Sequence, residues 1–399
     1  MSVQSLLDDG LQIIDVDSHV AEPTDLWTSR LPKRFADQAP VVEWHEARGR
    51  WRWRVGDRFL SDVGFFTGGD AWGDYPPNSP PTLDDAHPGT YDPHARLRRL
   101  DELGVSAQVL YPNLIGFNTY AFMITGLDLA LACVRAYNDF LVEFAAADPT
   151  RLIPIAMLPF WDLDESVREL ERARSMGHKG FLFANQFEKL GLPRMVDQHW
   201  DPILAAAQDL ELSANFHVGF SSNNTQDKLT QEELDDHWYG MLGNRTGFVR
   251  TSSLAFLSNV NCVIDLIIDG VCERYPRLPM VCVESGFGYV PFLLEMLDWQ
   301  WQNAGAAREN PSRLLPSEYF RRQIYASFWF ETSSLGMLEQ YEDNVMFETD
   351  YPHNTSLTPG PLSLAVSPRD HVVQHFTALP DRVVRKVVHD NAARLYHLT

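Results

Sequence analysis

The 399-residue chain contains no basic block, and its 33 Lys and Arg are outnumbered by 54 Asp and Glu, for a net charge of −21. Nucleic acids and anionic membrane surfaces are gripped through clustered cations, so neither is expected as a partner. No apolar run approaches the ~20 residues that span a bilayer. The first 30 residues, with Asp8, Asp9, Asp15 and Asp17, lack the basic start and apolar core of a secretory signal. The expected location is therefore the cytoplasm. Cysteine is also scarce. Cys133, Cys262, Cys272 and Cys282 include no C-x-x-C pair, which points to buried free thiols rather than disulfides or a zinc cluster. Neither a G-x-G-x-x-G nor a phosphate-binding loop follows the first strand candidate, so an open doubly wound sheet would lack its usual ligand site.

What is present is a globular composition, 45% hydrophobic and 22% charged, with a recurring alternation of short apolar runs and amphipathic stretches. The runs are Leu11–Val16, Val105–Tyr111, Leu152–Leu158, Lys179–Phe183, Leu212–Phe216, Pro279–Val283, Tyr325–Phe330 and Val345–Glu348. Short, largely apolar and bounded by polar, Gly or Pro residues, they suit parallel strands buried on both faces. Helical spacing follows in Leu127–Ala147, Leu163–Ser175, Pro202–Leu210, Tyr289–Ala304 and Asp381–His397. Eight such units predict one α/β domain over residues 1–399, a closed (β/α)8 barrel of the TIM type.

Two stretches depart from the repeat. Residues 24–91 are dense in aromatics, Pro and Gly, including Trp51, Trp53, Phe65, Phe66, Trp72 and the run Tyr75–Pro81. Residues 218–248 are polar, with Ser221, Ser222, Asn223 and Asn224 before the acidic cluster Glu232–Asp236. Each follows a strand, the first and the fifth, and so falls at the barrel end where active sites are built. Long loops there act as lids, binding elements or contacts between subunits.

The chemistry concentrates at three strand ends. Asp15-Val16-Asp17-Ser18-His19 closes the first apolar run. Residues two apart on a strand share a face, so Asp17 and His19 can point together into a barrel mouth. His217 directly follows the fifth run and Asp350 the eighth. Any one of these has a bland reading as a cap or a surface side chain. Three at strands 1, 5 and 8 point to a shared cation.

With these motifs the chain resembles the amidohydrolase superfamily, in the branch called amidohydrolase 2, which also holds decarboxylases of the aminocarboxymuconate-semialdehyde type. The resemblance spans almost the whole sequence. It rests on the strand-1 motif, Tyr137-Asn138-Asp139 with Asp148–Leu152, the Gly177–Gly180 turn, Glu273–Pro276 leading into Glu284-Ser285-Gly286, Thr349–His353, and Asn391–Tyr396. It implies one divalent metal ion at the C-terminal end of the barrel on Asp17, His19, His217 and Asp350, and a homodimer or higher oligomer. Two positions depart from the family pattern. Its usual His-x-His is here Asp17-Ser18-His19, which adds oxygen character; Zn remains the first expectation, with Mn or Fe favoured more than two His would favour them. Glu284 stands where related decarboxylases carry a proton-transferring His.

A carboxylate at 284 suits a fifth metal ligand or a general base toward metal-activated water. The expectation is thus hydrolysis of an ester, thioester or amide bond in a small organic molecule, with Asp350 and Glu284 handling protons and His353 serving the leaving group. The alternative is a non-oxidative decarboxylase of an aromatic or unsaturated acid. A barrel that has lost catalysis is the non-enzymatic alternative. Glu22 is a further oxygen donor or a turn cap beside Pro23. The insertion aromatics, with Phe117, Trp238 and Trp329, hint at an apolar or aromatic substrate. Arg52, Arg54 and Arg245 are candidates for its carboxylate, against a solvent-facing role.

Overall fold

In a computed structural model that describes residues 2–70, 72–75, 78–220 and 244–398, the chain folds as an eight-stranded barrel sheathed in helices. Its strands, in order around the sheet, are β1 (Ile14–Val20), β5 (Ala107–Pro112), β6 (Leu152–Ala156), β7 (Gly180–Leu182), β8 (Ser213–His217), β9 (Met280–Val283), β10 (Ile324–Phe328) and β11 (Val345–Phe347). All neighbouring pairs are parallel. Nearly every strand residue is buried, as expected for a sheet covered by helices outside and side chains within. The eight predicted runs all coincide with these strands. β1 differs most: it continues through the polar motif to Val20, because His19 and Val20 still pair with Tyr111 and Pro112.

Helices α1 (Pro93–Leu103), α2 (Leu127–Ala145), α3 (Leu163–Met176), α4 (Asp201–Asp209), α5 (Ser258–Ile268), α6 (Val290–Asn303), α7 (Pro316–Gln323) and α8 (Pro368–His375) surround it. Their ends follow local chemistry. Asp92 caps α1 by accepting from the Ala95 amide with Pro93 behind it, and Gly104 ends it at φ 72°. Asp162 and Gly177 do the same for α3. The predicted C-terminal helix is broken differently: a π-helical turn at Lys386–Asp390 separates Asp381–Arg385 from Asn391–Leu395. A helix over Arg245–Phe256 runs into α5, and together they are long and apolar enough by composition to cross a membrane, a span that reading uninterrupted apolar runs overlooks. Within α5, Cys262, Val263, Leu266 and Ile267 are buried in the barrel core.

The first insertion builds its own three-stranded antiparallel sheet from β2 (Val41–His45), β3 (Arg50–Val55) and β4 (Arg58–Asp62). Its later part docks on the loop after β11. The Gly69 amide donates to Pro352 O at 2.9 Å, and a Cβ on Gly69 would lie 1.7 Å from His353 O, so only glycine fits this approach. Asp70 is buried and accepts from Tyr351 Oη at 2.8 Å while pairing with Arg99. Most of the 218–248 insertion lies outside the described residues, including Ser221, Ser222, Asn223, Asn224, Glu232–Asp236 and Trp238. All four cysteines are free and buried.

Candidate metal centre

The barrel closes where its first and last strands meet, and that seam assembles the site. The Asp350 amide donates to Asp17 O at 2.9 Å, and the His19 amide to Tyr351 O at 2.6 Å. Two segments more than 300 residues apart in sequence thus lie side by side by backbone pairing. One extra residue in β1 between Asp15 and Ser18 breaks the register against β5, a bulge that re-aims the side chains beyond it. Asp350 and Glu284 both sit just past a strand end with positive φ, 60° and 56°. Non-glycine residues pay for that conformation, and it turns both side chains out of the strand direction into the mouth.

The result is a compact donor set. His19 Nε2 lies 3.0 Å from His217 Nε2, 3.5 Å from Asp17 Oδ1 and 3.6 Å from Asp350 Oδ1, and His217 Nε2 is 3.4 Å from Asp17 Oδ1. Asp17, Glu284 and Asp350 form a second grouping, within 4.8 Å of one another, and all of these side chains are buried. Each imidazole has its Nδ1 on a backbone carbonyl, His19 on Pro112 O at 3.1 Å and His217 on Val218 O at 2.7 Å. A carbonyl only accepts, so a hydrogen resides on each Nδ1, and a neutral ring then leaves its Nε2 lone pair bare. At His217 burial is outweighed by Asp17, which raises the ring toward its protonated form. Two lone pairs facing at 3.0 Å repel unless a cation lies between them. Both Asp17 oxygens are likewise buried without a hydrogen-bond partner. Spacings of 3.0–3.6 Å match atoms that share one ion at bonds of about 2.1 Å. The residues fit a divalent ion.

Electrostatics agrees. Burial, then the neighbouring His353, depresses His19 to about 4, leaving it neutral and able to ligate. Burial alone would raise Asp17, but His217 and His19 outweigh it and hold it below the usual carboxylate range. Burial followed by Asp17 pushes Asp350 up, and burial followed by Asp350 and Asp17 pushes Glu284 well up. The opposite directions for Asp17 and Asp350 express one fact: more buried carboxylates than positive charge to match them.

Residues around the donors fix their orientation. His353 stacks on His19 at 3.8 Å between ring centroids, with Nδ1 2.7 Å from Asp350 Oδ1 and Nε2 2.8 Å from Asn113 Oδ1. Thr355 Oγ1 donates to Asp350 Oδ2. Glu284 Oε2 is 3.6 Å from His217 Nδ1, and its own amide donates to Glu348 Oε2 at 2.9 Å. Glu22 is buried, and its Oε1 accepts from the amides of Asn113 and Ile115, so it caps the turn after β5 rather than one beside Pro23.

The arginines expected near a substrate carboxylate are matched locally. Arg52 is buried against Leu60 O and Asp62, Arg54 forks onto Glu43, and Arg245 faces Asp74 and the Tyr75 ring. Of the aromatics, Phe66 and Phe117 stack 5.1 Å apart and border the imidazoles, Phe117 at 5.8 Å from His19 and 5.5 Å from His217. Trp53 packs on Trp27 and Trp329 on Phe256, both as core. Asn113, Thr355 and Arg96 escaped the sequence reading. Arg96 is fully buried and donates to His19 O, Gly89 O and Gln108 Oε1. Its signal was available: with Leu100 and Leu103 it falls on the apolar stripe of α1, where a charge must have partners.

The amidohydrolase family profile, Amidohydro_2, matches residues 14–398. The chain belongs to the amidohydrolases. Among curated relatives of this amidohydrolase is a gamma-resorcylate decarboxylase of Polaromonas sp., 25% identical over 316 residues that cover 76% of this chain and 86% of the relative. Among solved structures, an amidohydrolase from Mycobacterium avium subsp. paratuberculosis superposes with TM-score 0.73 at 21% identity, over 97% of this chain and 99% of that one. A dihydroxybenzoic acid decarboxylase of Polaromonas sp., with bound manganese and 2-nitroresorcinol, superposes with TM-score 0.59 at 20% identity, over 97% of both chains. The expected barrel and family are thereby established, and the chain is an enzyme of this superfamily whose buried donors could hold a divalent ion.

Proposed function

We propose that this amidohydrolase is a metal-dependent, non-oxidative decarboxylase of a hydroxylated aromatic carboxylic acid, with Asp17, His19, His217 and Asp350 as the metal ligands. This exchanges the order of the two sequence readings, placing hydrolysis second. The observation that carries it is the pairing of an oxygen-rich donor set with a wall of flat rings: Phe66 and Phe117 stand against His19, His217 and His353. Such a wall receives an aromatic ring edge-on or offset while its carboxylate meets the donors. The decarboxylase relatives support the same choice, and the manganese in one of them favours Mn over the Zn first expected.

A divalent ion at the donors would supply the positive charge that anchors a carboxylate and an adjacent phenolic oxygen. The protein's own groups do the rest. Phe66 and Phe117 orient the ring. The bond from ring to carboxyl carbon breaks with its electron pair left on the ring carbon, and CO₂ departs. A proton held on Glu284 replaces it, and solvent restores that proton. Glu284 then fills the place of the His expected in decarboxylases, as an acid rather than as a base toward water. His353 orients Asp350 from its perch on Asn113.

The test is a product analysis. Manganese-loaded protein is incubated with 2,6-dihydroxybenzoate and related hydroxybenzoates, beside ester and thioester panels, in deuterated water. Release of the carboxyl carbon as CO₂, with one deuterium at the vacated ring position, is the expected result. Ester or thioester turnover giving a new carboxylate without CO₂ would return the site to hydrolysis.

A further inference from the structure

Glu284 owes its place in the mouth to its backbone. It directly follows β9, and its φ of 56° swings the side chain out of the strand direction. A residue in that conformation cannot continue the parallel ladder, so its amide needs another acceptor. The turn it opens, Glu284-Ser285-Gly286-Phe287, contains a second left-handed residue, Gly286 at φ 68°. Such a turn persists only where its surroundings hold it.

Side chains hold this one at both ends. At its start the Glu284 amide donates to Glu348 Oε2 at 2.9 Å. Glu348 directly follows β11, and β10 lies between β11 and β9. Its fully buried side chain thus reaches past a whole strand to make this bond. At the other end the Phe287 amide donates to Glu331 Oε1 at 2.5 Å, while Glu331 Oε2 accepts from the Trp329 amide at 2.9 Å. The second of these bonds ties the carboxyl to its own loop after β10. A Cβ on Gly286 would lie 2.9 Å from Glu331 Oε1, so the approach requires glycine. From α5, Asn259 Nδ2 donates to Val283 O at 3.1 Å and to Ser285 Oγ at 3.2 Å. Hydrogen bonds to carboxylates are roughly twice as strong as neutral ones, and the first and last amides of the turn each have a carboxyl.

We infer that Glu348 and Glu331 form a clamp that positions Glu284, with Glu348 the stronger member because it acts on the Glu284 amide itself. Both are positioning residues, working through the backbone that aims the Glu284 carboxyl at the metal donors. The inference rests on Glu284 carrying the proton, and it holds for transfer in either direction, in decarboxylation or in hydrolysis. A reacting group misplaced by about 1 Å loses on the order of 100-fold in rate. Substrate anchoring at the metal and against Phe66 and Phe117 is left alone. The signature is a fall in kcat at constant KM and constant metal content.

Glu348→Met keeps the length of the side chain and removes the acceptor, whereas Glu348→Gln keeps an acceptor oxygen. Both are loaded with manganese and compared with wild type by steady-state kinetics, on whichever hydroxybenzoate or ester the wild type turns over. Elemental analysis and hydrogen–deuterium exchange of the peptide spanning residues 280–290 accompany the kinetics. In Glu348→Met, kcat should fall about 10–100-fold with KM and metal content at wild-type values, and exchange should quicken at the turn alone. Glu348→Gln should recover most of both. Glu331→Met should act in the same direction more weakly, and it carries the test should Glu348→Met fail to fold. A folded Glu348→Met with wild-type kcat and wild-type exchange at the turn would overturn the clamp. So would a Glu348→Gln as impaired as Glu348→Met, which would assign the effect to lost charge. A wild type that turns over none of these compounds would sink the proton-carrying reading instead, and exchange at the turn then decides the clamp by itself.

Discussion

Asp15 and Asp17 are two buried carboxylates on one strand, separated by a single residue, and they live in opposite environments. Asp15 accepts from the Thr349 amide, Thr349 Oγ1, Gln108 Nε2 and the Asp17 amide. Its hydrogen bonds tie β1 to β5 and to the segment after β11, and Gln108 passes the contact on to Arg96. Asp17, one bulge further along, has no hydrogen-bond partner on either oxygen. Burial and residue type are the same, so neither distinguishes structure from function. Satisfaction does. A fully paired buried charge is a clasp, whereas an unpaired one beside two bare imidazole nitrogens is half of a site whose other half is a cation.

The sharpest way to break this comparison is to truncate each carboxylate. Asp17→Ala should lose its bound metal and lower turnover by more than the ~10–100-fold that partners outside the ligand set cost. Elemental analysis and steady-state kinetics read this, and a variant that holds one metal per chain at full turnover would remove Asp17 from the ligands. Asp15→Ala should instead appear as instability, about 3 kcal/mol, because it strands hydrogen-bonding partners in the core. Denaturant midpoints at constant slope measure it. Loss of metal without loss of stability would show that Asp15 belongs to the site.

A third carboxylate extends the contrast to pH. Burial raises Glu22 from 4.5 to about 7, only partly offset by backbone amides. Its folded-state pKa lies above the unfolded one, so between those values the folded protein keeps a proton that the unfolded chain has released. Stability from this group is complete below 4.5 and falls as pH rises toward 7, by about 1.4 kcal/mol per pH unit. Glu22→Gln should flatten that decline in melts taken across the window. An identical slope in the variant would assign the decline to other groups.

The smallest effect is expected at the insertion surface. Arg54 and Glu43 form a well-shaped pair but remain open to solvent, and exposed pairs contribute under about 1 kcal/mol. Arg54→Ala should melt close to wild type and turn over normally. A strong rise in KM would restore Arg54 as a substrate-carboxylate contact.

Much of this molecule is legible without coordinates. The eight strands could be read because fully buried parallel strands leave short apolar runs, and the four candidate ligands because they sit at the ends of three of them. The limit of β1 could not, since pairing partners rather than hydropathy extend it through Asp17 and His19 to Val20. Nor could the division of labour among its acids, because Asp15, Asp17 and Glu22 are alike in composition and differ only in what surrounds them. Arg96 shows a missed opportunity, as a charge on an apolar helix stripe already implies buried partners.

The alternation of strand and helix, the family and the side chains able to bind a cation are written in the residues, since periodicity and residue chemistry are local properties. Which of those side chains meet depends on how the barrel closes. The pairing of Asp17 with Asp350 and of His19 with Tyr351 closes the barrel across more than 300 residues, and the positive φ of Glu284 and Asp350 aims them inward. The insertion's glycines press on the loop after β11 and shape a cavity beside the metal centre. Distance, orientation and hydrogen-bond satisfaction arise between distant segments, and they separate a clasp from a metal ligand.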